Sequence, residues 1–287
     1  MLFLARKHKK YRQVGINWDR QCLYIAESEW TKCSGLKLAN YSKIPFKCAL
    51  EQSLSLTIKK CFSYLNNKKI VLSLNYQNLL ESRTEVDKKI KLSLCKKQAM
   101  SNMAAQWQLD VNSLCFYANY FYSNKKYYLD IIAVRKLTLY QLTSALTSNA
   151  LSVFAVNVDI YALFDLCQKL IPDKNITDGL VVKANQEGCL FYLIDNEKVY
   201  IEPIFRQIND HTHLEKVIGE VAEVVNILSN HSGDDKIMDI FIFGSENIIN
   251  VKNFNVYNLS KLIKGKFDFD AECDDLALAL ALSYRAL

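Results

Sequence analysis

The chain states one order of elements twice, and that repetition narrows its fold more than any other feature. From residue 13 to 27 it reads strand, tight turn, strand. Val14 and Ile16 alternate with Gly15 and Asn17, and Leu23 and Ile25 alternate with Tyr24 and Ala26. Period-2 alternation on both sides of a polar turn is a hairpin signal. A third strand follows over 36–44. Over 50–65 the apolar residues Leu54, Ile58, Cys61, Phe62 and Leu65 form a helical stripe, and 69–74 is a buried strand. Next come a strand over 79–86, a mostly helical stretch over 88–108 and a hairpin of 110–122 with 127–134. A helix over 136–148, a strand over 153–159 and a helix over 161–170 complete the unit, with Pro172 closing that helix. The segment 172–179 marks the internal boundary. A second unit then repeats the grammar. It has strands over 180–183, 189–194 and 198–205, and a helix with Leu214, Val217, Ile218, Val221, Val224, Val225 and Leu228 on one face. A buried strand over 238–243 follows. Asp274 and Asp275 cap a last helix over 276–287. Leu and Ala alternate there, and helix propensity with the acidic cap decides for helix over strand. A duplicated α/β design of this kind leaves a cleft between two lobes, where ligands usually sit.

Bulk properties set limits. A chain of 287 residues, half of them hydrophobic, can bury a full core. No apolar run approaches the ~20 residues of a membrane span. The nine cysteines are odd in number and scattered without a Cys-x-x-Cys, and the four histidines show no short metal spacing. Reduced thiols and no metal site are the expectation. The cluster Arg6-Lys7-His8-Lys9-Lys10-Tyr11-Arg12 makes residues 1–12 a basic leader. It reads equally as an arm for an anionic membrane face and as a solvated terminus. Only eight glycines are present, where average usage of ~7% would give about twenty. Backbone that approaches a phosphate closely uses glycine. The shortage argues against a set of working phosphate loops.

The first hairpin shows the same deficit. In several phosphate-handling folds such a hairpin holds ATP phosphates between its strands. That work needs small residues at the turn and a carboxylate to place Mg²⁺. Here the turn is Trp18-Asp19-Arg20-Gln21, and Asn17 stands where an Asp would serve.

The order of elements resembles the actin-like (ribonuclease H-like) fold, and the residues resemble the type IV pilus assembly protein PilM family. Three stretches carry this. One is Val14-Gly15-Ile16-Asn17-Trp18. The second runs over 128–163, where Ala133, Arg135, Lys136, Val158, Asp159, Ala162 and Leu163 fit the family's strand, Ala-x-Arg-Lys, helix, Val-Asp and Ala-Leu order. The third is 240–245 with the final helix. The resemblance implies an α/β, two-lobed fold with a cleft. It assigns 13–171 to the first lobe, with an inserted subdomain at about 76–134. A reduced second lobe follows at 176–270, and 271–287 form a C-terminal helix packing back on the first lobe.

The departures bear on chemistry. At the family's Asp, Gly and Lys of the first phosphate hairpin stand Asn17, Asp19 and Tyr24. At its second phosphate hairpin Val182 takes the Asp position and Ala184 the Gly, with Lys183 between them as a cation or as a solvent-facing side chain. Near the adenosine a Gly-Gly pair becomes Gly244-Ser245. Loss of both metal-orienting carboxylates removes Mg²⁺ placement, a main source of phosphoryl-transfer catalysis. Asp19 would repel a γ-phosphate. The expectation is a pseudo-ATPase with no cofactor, with ATP and Mg²⁺ disfavoured.

The resemblance implies a cytoplasmic scaffold, peripheral at the inner-membrane face. It would hold the N-terminal cytoplasmic peptide of a PilN-like bitopic membrane protein and connect to pilus motor ATPases. The partner groove is sought on the inserted subdomain at Trp107, Phe116, Tyr117, Tyr120 and Tyr122, against ordinary hairpin core as the plainer reading of each. The alternatives are an active or ATP-binding actin-like ATPase and an actin-like adaptor of type II secretion or cell division. Aromatics and lysines over 117–128 also suit single-stranded nucleic acid, but a strand hairpin with a lysine turn explains them more simply.

Overall fold

The computed structural model describes residues 11–18, 22–31, 35–46, 50–87, 89–123, 126–171, 176, 178–184, 188–195, 198–199, 204–207, 211–229, 239–244, 249–267 and 274–285. The first sheet holds β1 (Tyr11–Trp18), β2 (Cys22–Thr31), β3 (Gly35–Pro45), β4 (Ile70–Leu74) and β8 (Val153–Val158) in the order β3-β2-β1-β4-β8. β1, β2 and β3 run antiparallel, while β4 and β8 join parallel. The second sheet repeats this plan. β9 (Gly179–Ala184) and β10 (Cys189–Asp195) pair antiparallel, and β11 (Lys198–Val199) and β12 (Ile204–Arg206) both pair with β10. β13 (Asp239–Phe243) and β14 (Asn255–Asn258) then add in parallel. An antiparallel meander extended by two parallel strands, twice over, is the two-lobed actin-like plan; in the second sheet the two short strands β11 and β12 together take the place of β3. A third, antiparallel sheet inserted in the first lobe has the order β5 (Leu79–Val86), β7 (Lys126–Arg135), β6 (Leu114–Ser123). α3 (Leu92–Gln106) packs on it through Met103 and Ala104, against Leu129, Ile131 and Ala133 of β7.

Strand alternation sorts the helices into layers. Val14 and Ile16 of β1 face α1 (Leu50–Lys60) and α4 (Lys136–Thr147), joining Leu54, Ile58 and Leu146. Ile240 and Ile242 of β13 face α6 (His211–Ser229), joining Val217, Ile218 and Val221. The opposite sides of both sheets share one core. Tyr24, Ala26 and Val71 of the first lobe meet Val181, Tyr192, Phe241 and Phe243 of the second. Between them lie α5 (Asp159–Leu170), α7 (Leu259–Phe267) and α8 (Asp274–Arg285).

α8 fixes this central layer. Every side chain from Ala277 to Ser283 is buried, as expected of a helix that is apolar nearly all round. Its backbone lies directly on β1. A Cβ built at Gly15 would fall 1.9 Å from the Ala279 carbonyl oxygen and 2.6 Å from the Ser283 nitrogen. Helix C-termini leave carbonyls without intrahelical partners. Here the Gln13 amide donates to the Leu282 carbonyl at 3.2 Å and the Ser28 hydroxyl to that of Ser283 at 2.7 Å.

Several boundaries differ from the sequence reading. The helix expected over 50–65 breaks at Cys61 into α1 and α2 (Phe62–Leu65). The strand expected to end at Asp159 ends at Val158, so that Asp159 opens α5. β14 and α7 had no signal in the reading. Four residues, Asn-Val-Tyr-Asn, are too few for alternation to show, and Gly265 lowers the helix propensity of α7. Residues 1–10 of the basic leader lie outside the described residues.

Gly15→Ala is expected to destabilise the protein by about 3 kcal/mol, because backbone rather than a mobile side chain occupies the Cβ position. Urea unfolding checks this. A variant within about 0.5 kcal/mol of wild type, the usual scatter of surface changes, would contradict the close packing.

Candidate functional site

β-strand parity decides which hairpin residues face the cleft. On β1 and β2, Asn17 and Tyr24 are directly paired and both are buried. Tyr24 belongs to the core shared between the sheets, and the Lys43 ammonium lies 5.8 Å from the centre of its ring. These two therefore stand on the cleft side. Asp19 and Ser245 lie outside the described residues. On β9 the assignment changes. Val182 and Ala184 turn away from the cleft into the α6 core, beside Leu180 and Val217. Val182 does not occupy a metal-orienting position, which corrects the sequence reading by one residue. The cleft side of β9 carries Val181 and Lys183, and Lys183 does not simply face solvent.

Lys183 Nζ donates to Asp159 Oδ2 at 2.9 Å, with the side chains 26% and 3% exposed. Asp159 is the first residue of α5. Its Oδ1 accepts the backbone N–H of Ile160 at 2.7 Å and that of Tyr76 at 2.9 Å. A carboxylate at a helix N-terminus is favoured by free N–H groups and the helix dipole. With its donors in place and Lys183 beside it, this buried charge is compensated. Tyr192 of β10 completes the wall. Its ring is fully buried and its hydroxyl finds no hydrogen-bond partner among the described residues. Burial pushes the phenol up from 10.0 to about 12, with the Lys183 charge opposing and the Asp159 charge assisting. Gly244 keeps a left-handed φ of 95°, and its N–H is turned to the Ser260 hydroxyl at 3.1 Å.

Neither hairpin's first strand offers a carboxylate for Mg²⁺, because β1 and β9 contain no Asp or Glu. Asn17 and Lys183 stand on the cleft sides of these strands. Among the described residues no group of three His, Cys, Asp or Glu side chains is placed to bind a metal ion.

The five candidate groove residues do not form one surface: Phe116, Tyr120 and Tyr122 share one side of the inserted sheet, and Tyr117 takes the other. Phe116 packs toward α3 and its core. Tyr120 stacks on Tyr127 at 5.3 Å, and Tyr122 packs against the same ring at 4.8 Å, at the far end of the hairpin. Trp107, 45% exposed, follows the C-terminus of α3. Tyr117, 64% exposed, points to the opposite, uncovered side of the sheet. There it shares a row with Ile132 and Glu81, next to the Arg83–Asp130 ion pair at 2.9 Å. That side meets the first lobe, because the Glu81 carboxylate accepts the Tyr161 hydroxyl at 2.8 Å and the Tyr76 hydroxyl at 3.1 Å. Sequence reasoning named Asp159 only within a family pattern and missed Tyr76, Glu81, Tyr161 and Tyr192. An Asp opening an amphipathic helix was the one signal available; the tyrosines had none.

By sequence, no protein-family profile and no curated protein matches the chain. Solved structures do match it. One is described as a PilM-PilN type IV pilus biogenesis complex, 13% identical, with a TM-score of 0.65 over 95% of this chain and 98% of that one. Another is the cytoplasmic domain of EpsL, an inner-membrane component of the type II secretion system of Vibrio cholerae. It is 10% identical, with a TM-score of 0.51 over 93% and 98%. At these identities the likeness establishes the fold. The chain has the two-lobed actin-like fold, similar over nearly its whole length to the pilus protein.

Tyr192→Phe removes a buried hydroxyl that no described group satisfies, so it is expected to be neutral or to stabilise by about 1 kcal/mol. The folded-state value is raised, so the linked stability is complete below pH 10. It is lost as pH rises through about 12. Phe lacks this loss. Urea unfolding of both proteins at pH 8 and pH 11 checks the pair of expectations; a large loss in Tyr192→Phe at pH 8 would contradict them.

Proposed function

We propose that the chain is a non-hydrolysing adaptor of the type IV pilus inner-membrane platform. In this reading it holds the cytoplasmic N-terminal tail of a PilN-like bitopic membrane protein. The observation that carries the proposal is the likeness, over nearly the whole length, to a chain of a PilM-PilN type IV pilus biogenesis complex, combined with a cleft whose Lys183 is committed to Asp159. A scaffold keeps its partner groove after nucleotide chemistry is gone, since fold and site are separable. Contact with the motor ATPases and with the face of the inner membrane belong to the same reading. Among the described residues no helix is long and apolar enough to cross a membrane. The likeness to the EpsL domain supports a second reading, an adaptor of type II secretion.

The groove is placed where the uncovered side of the inserted sheet meets the first lobe. An extended tail there would pair by backbone and be selected by side-chain pockets. Tyr117, exposed on that side, is the anchor, while Trp107 stands at the C-terminus of α3.

The test is a pull-down from the source organism's detergent-solubilised membranes, with the chain tagged at its amino terminus. Recovery of a small bitopic protein that its own N-terminal peptide competes off supports the proposal. The identity of that protein separates pilus from secretion. No competed membrane protein would overturn both readings. With the peptide in hand, Tyr117→Ala should weaken binding about tenfold, a typical loss for a buried aromatic anchor, and Trp107→Ala should leave it unchanged. Fluorescence anisotropy measures both, and the reverse order would move the groove to α3.

A further inference from the structure

One side-chain network joins three parts of the molecule. Lys183 comes from the second sheet, Asp159 from the start of α5, Tyr76 from the 3-10 turn after β4, and Glu81 from the inserted sheet. Lys183 donates to Asp159 at 2.9 Å, and the same carboxylate accepts the Tyr76 N–H at 2.9 Å. The Tyr76 hydroxyl donates to Glu81 Oε2 at 3.1 Å. Tyr161, in the first turn of α5, donates to Glu81 Oε1 at 2.8 Å. The Tyr76 ring stands edge-on to Tyr161 at 6.1 Å and to Tyr192 of the second sheet at 5.9 Å. Tyr76 thus touches Asp159, Glu81, Tyr161 and Tyr192 with its backbone, hydroxyl or ring.

Hinged two-lobed proteins commonly close around a ligand that contacts both lobes. Here a side chain of the second lobe makes that bridge. The Asp159 side chain is 3% exposed, so its charge depends on Lys183 and two N–H groups for compensation. Removing one partner of such a pair leaves an uncompensated buried charge, and the surrounding structure then rearranges or opens. Tyr76, held by that carboxylate, is the neighbour best placed to feel it.

We propose that the Lys183–Asp159–Tyr76–Glu81 network is an internal lock, built from the chain's own residues, that fixes the inserted sheet against both lobes without a bound ligand. Order in the inserted sheet then depends on a lysine of the second lobe, and order in β9 depends on a glutamate of the insert. Coupling of this kind is reciprocal.

Amide hydrogen exchange on the full chain tests the lock, because local opening is read segment by segment. Lys183→Met should raise exchange about tenfold over residues 76–86 as well as over 159–163 and 179–184, with α6 unchanged. Lys183→Arg, which keeps a cation, should restore most of the protection. Glu81→Gln should raise exchange over 179–184 although it lies in another sheet. Changes confined to 179–184 in Lys183→Met, or to 76–86 in Glu81→Gln, would reduce the network to local contacts and overturn the lock. If Lys183→Met fails to fold, the Glu81→Gln result decides.

Discussion

The contact between α8 and Gly15 is the constraint on which the rest depends. A helix can lie backbone to backbone on a strand only where the strand lacks a Cβ. That approach lets a helix of leucines and alanines sit between two sheets with all its described side chains buried from Ala277 to Ser283. Gln13 and Ser28 close the arrangement by meeting two of its last carbonyls. The layers follow from this placement. Each sheet shows one side to α8 and its neighbours and the other to its own outer helices.

The same alternation explains the cleft. A strand with one side packed in a core offers only every second residue to a ligand. In β9 the cleft side carries Val181 and Lys183, and the lysine's cation meets a carboxylate that opens α5. A buried ion pair of this kind is weak evidence of stability, since apolar packing often serves as well. It does define geometry, because both charges are lost to water if the lobes part. Tyr192, a buried phenol with no hydrogen-bond partner among the described residues, fits a surface that has been packed rather than kept open for polar chemistry.

Much of the fold was legible because it rests on patterns of period two and period three to four. The meanders, the long amphipathic helix α6 and the hairpin of β6 and β7 all declared themselves this way. What failed to show was short or settled at a distance. β14 is four residues long. Whether Val182 or Lys183 faces the cleft is a matter of strand register against another sheet, and no local signal sets it. The tyrosine contacts to Glu81 join residues far apart in the sequence. The aromatic run over 116–122 looked like one surface, yet its members divide between the two sides of the inserted sheet, with Phe116 toward α3 and Tyr117 opposite.

The central claim is that a chain with an actin-like fold keeps its cleft without nucleotide. Isothermal titration with Mg-ATP tests it most directly. The account predicts no saturable heat at ligand concentrations up to on the order of 1 mM, a dissociation constant weaker than about 4 kcal/mol of binding would give. Saturable binding in the micromolar range, strengthened when Lys183→Ala frees the cleft, would contradict it.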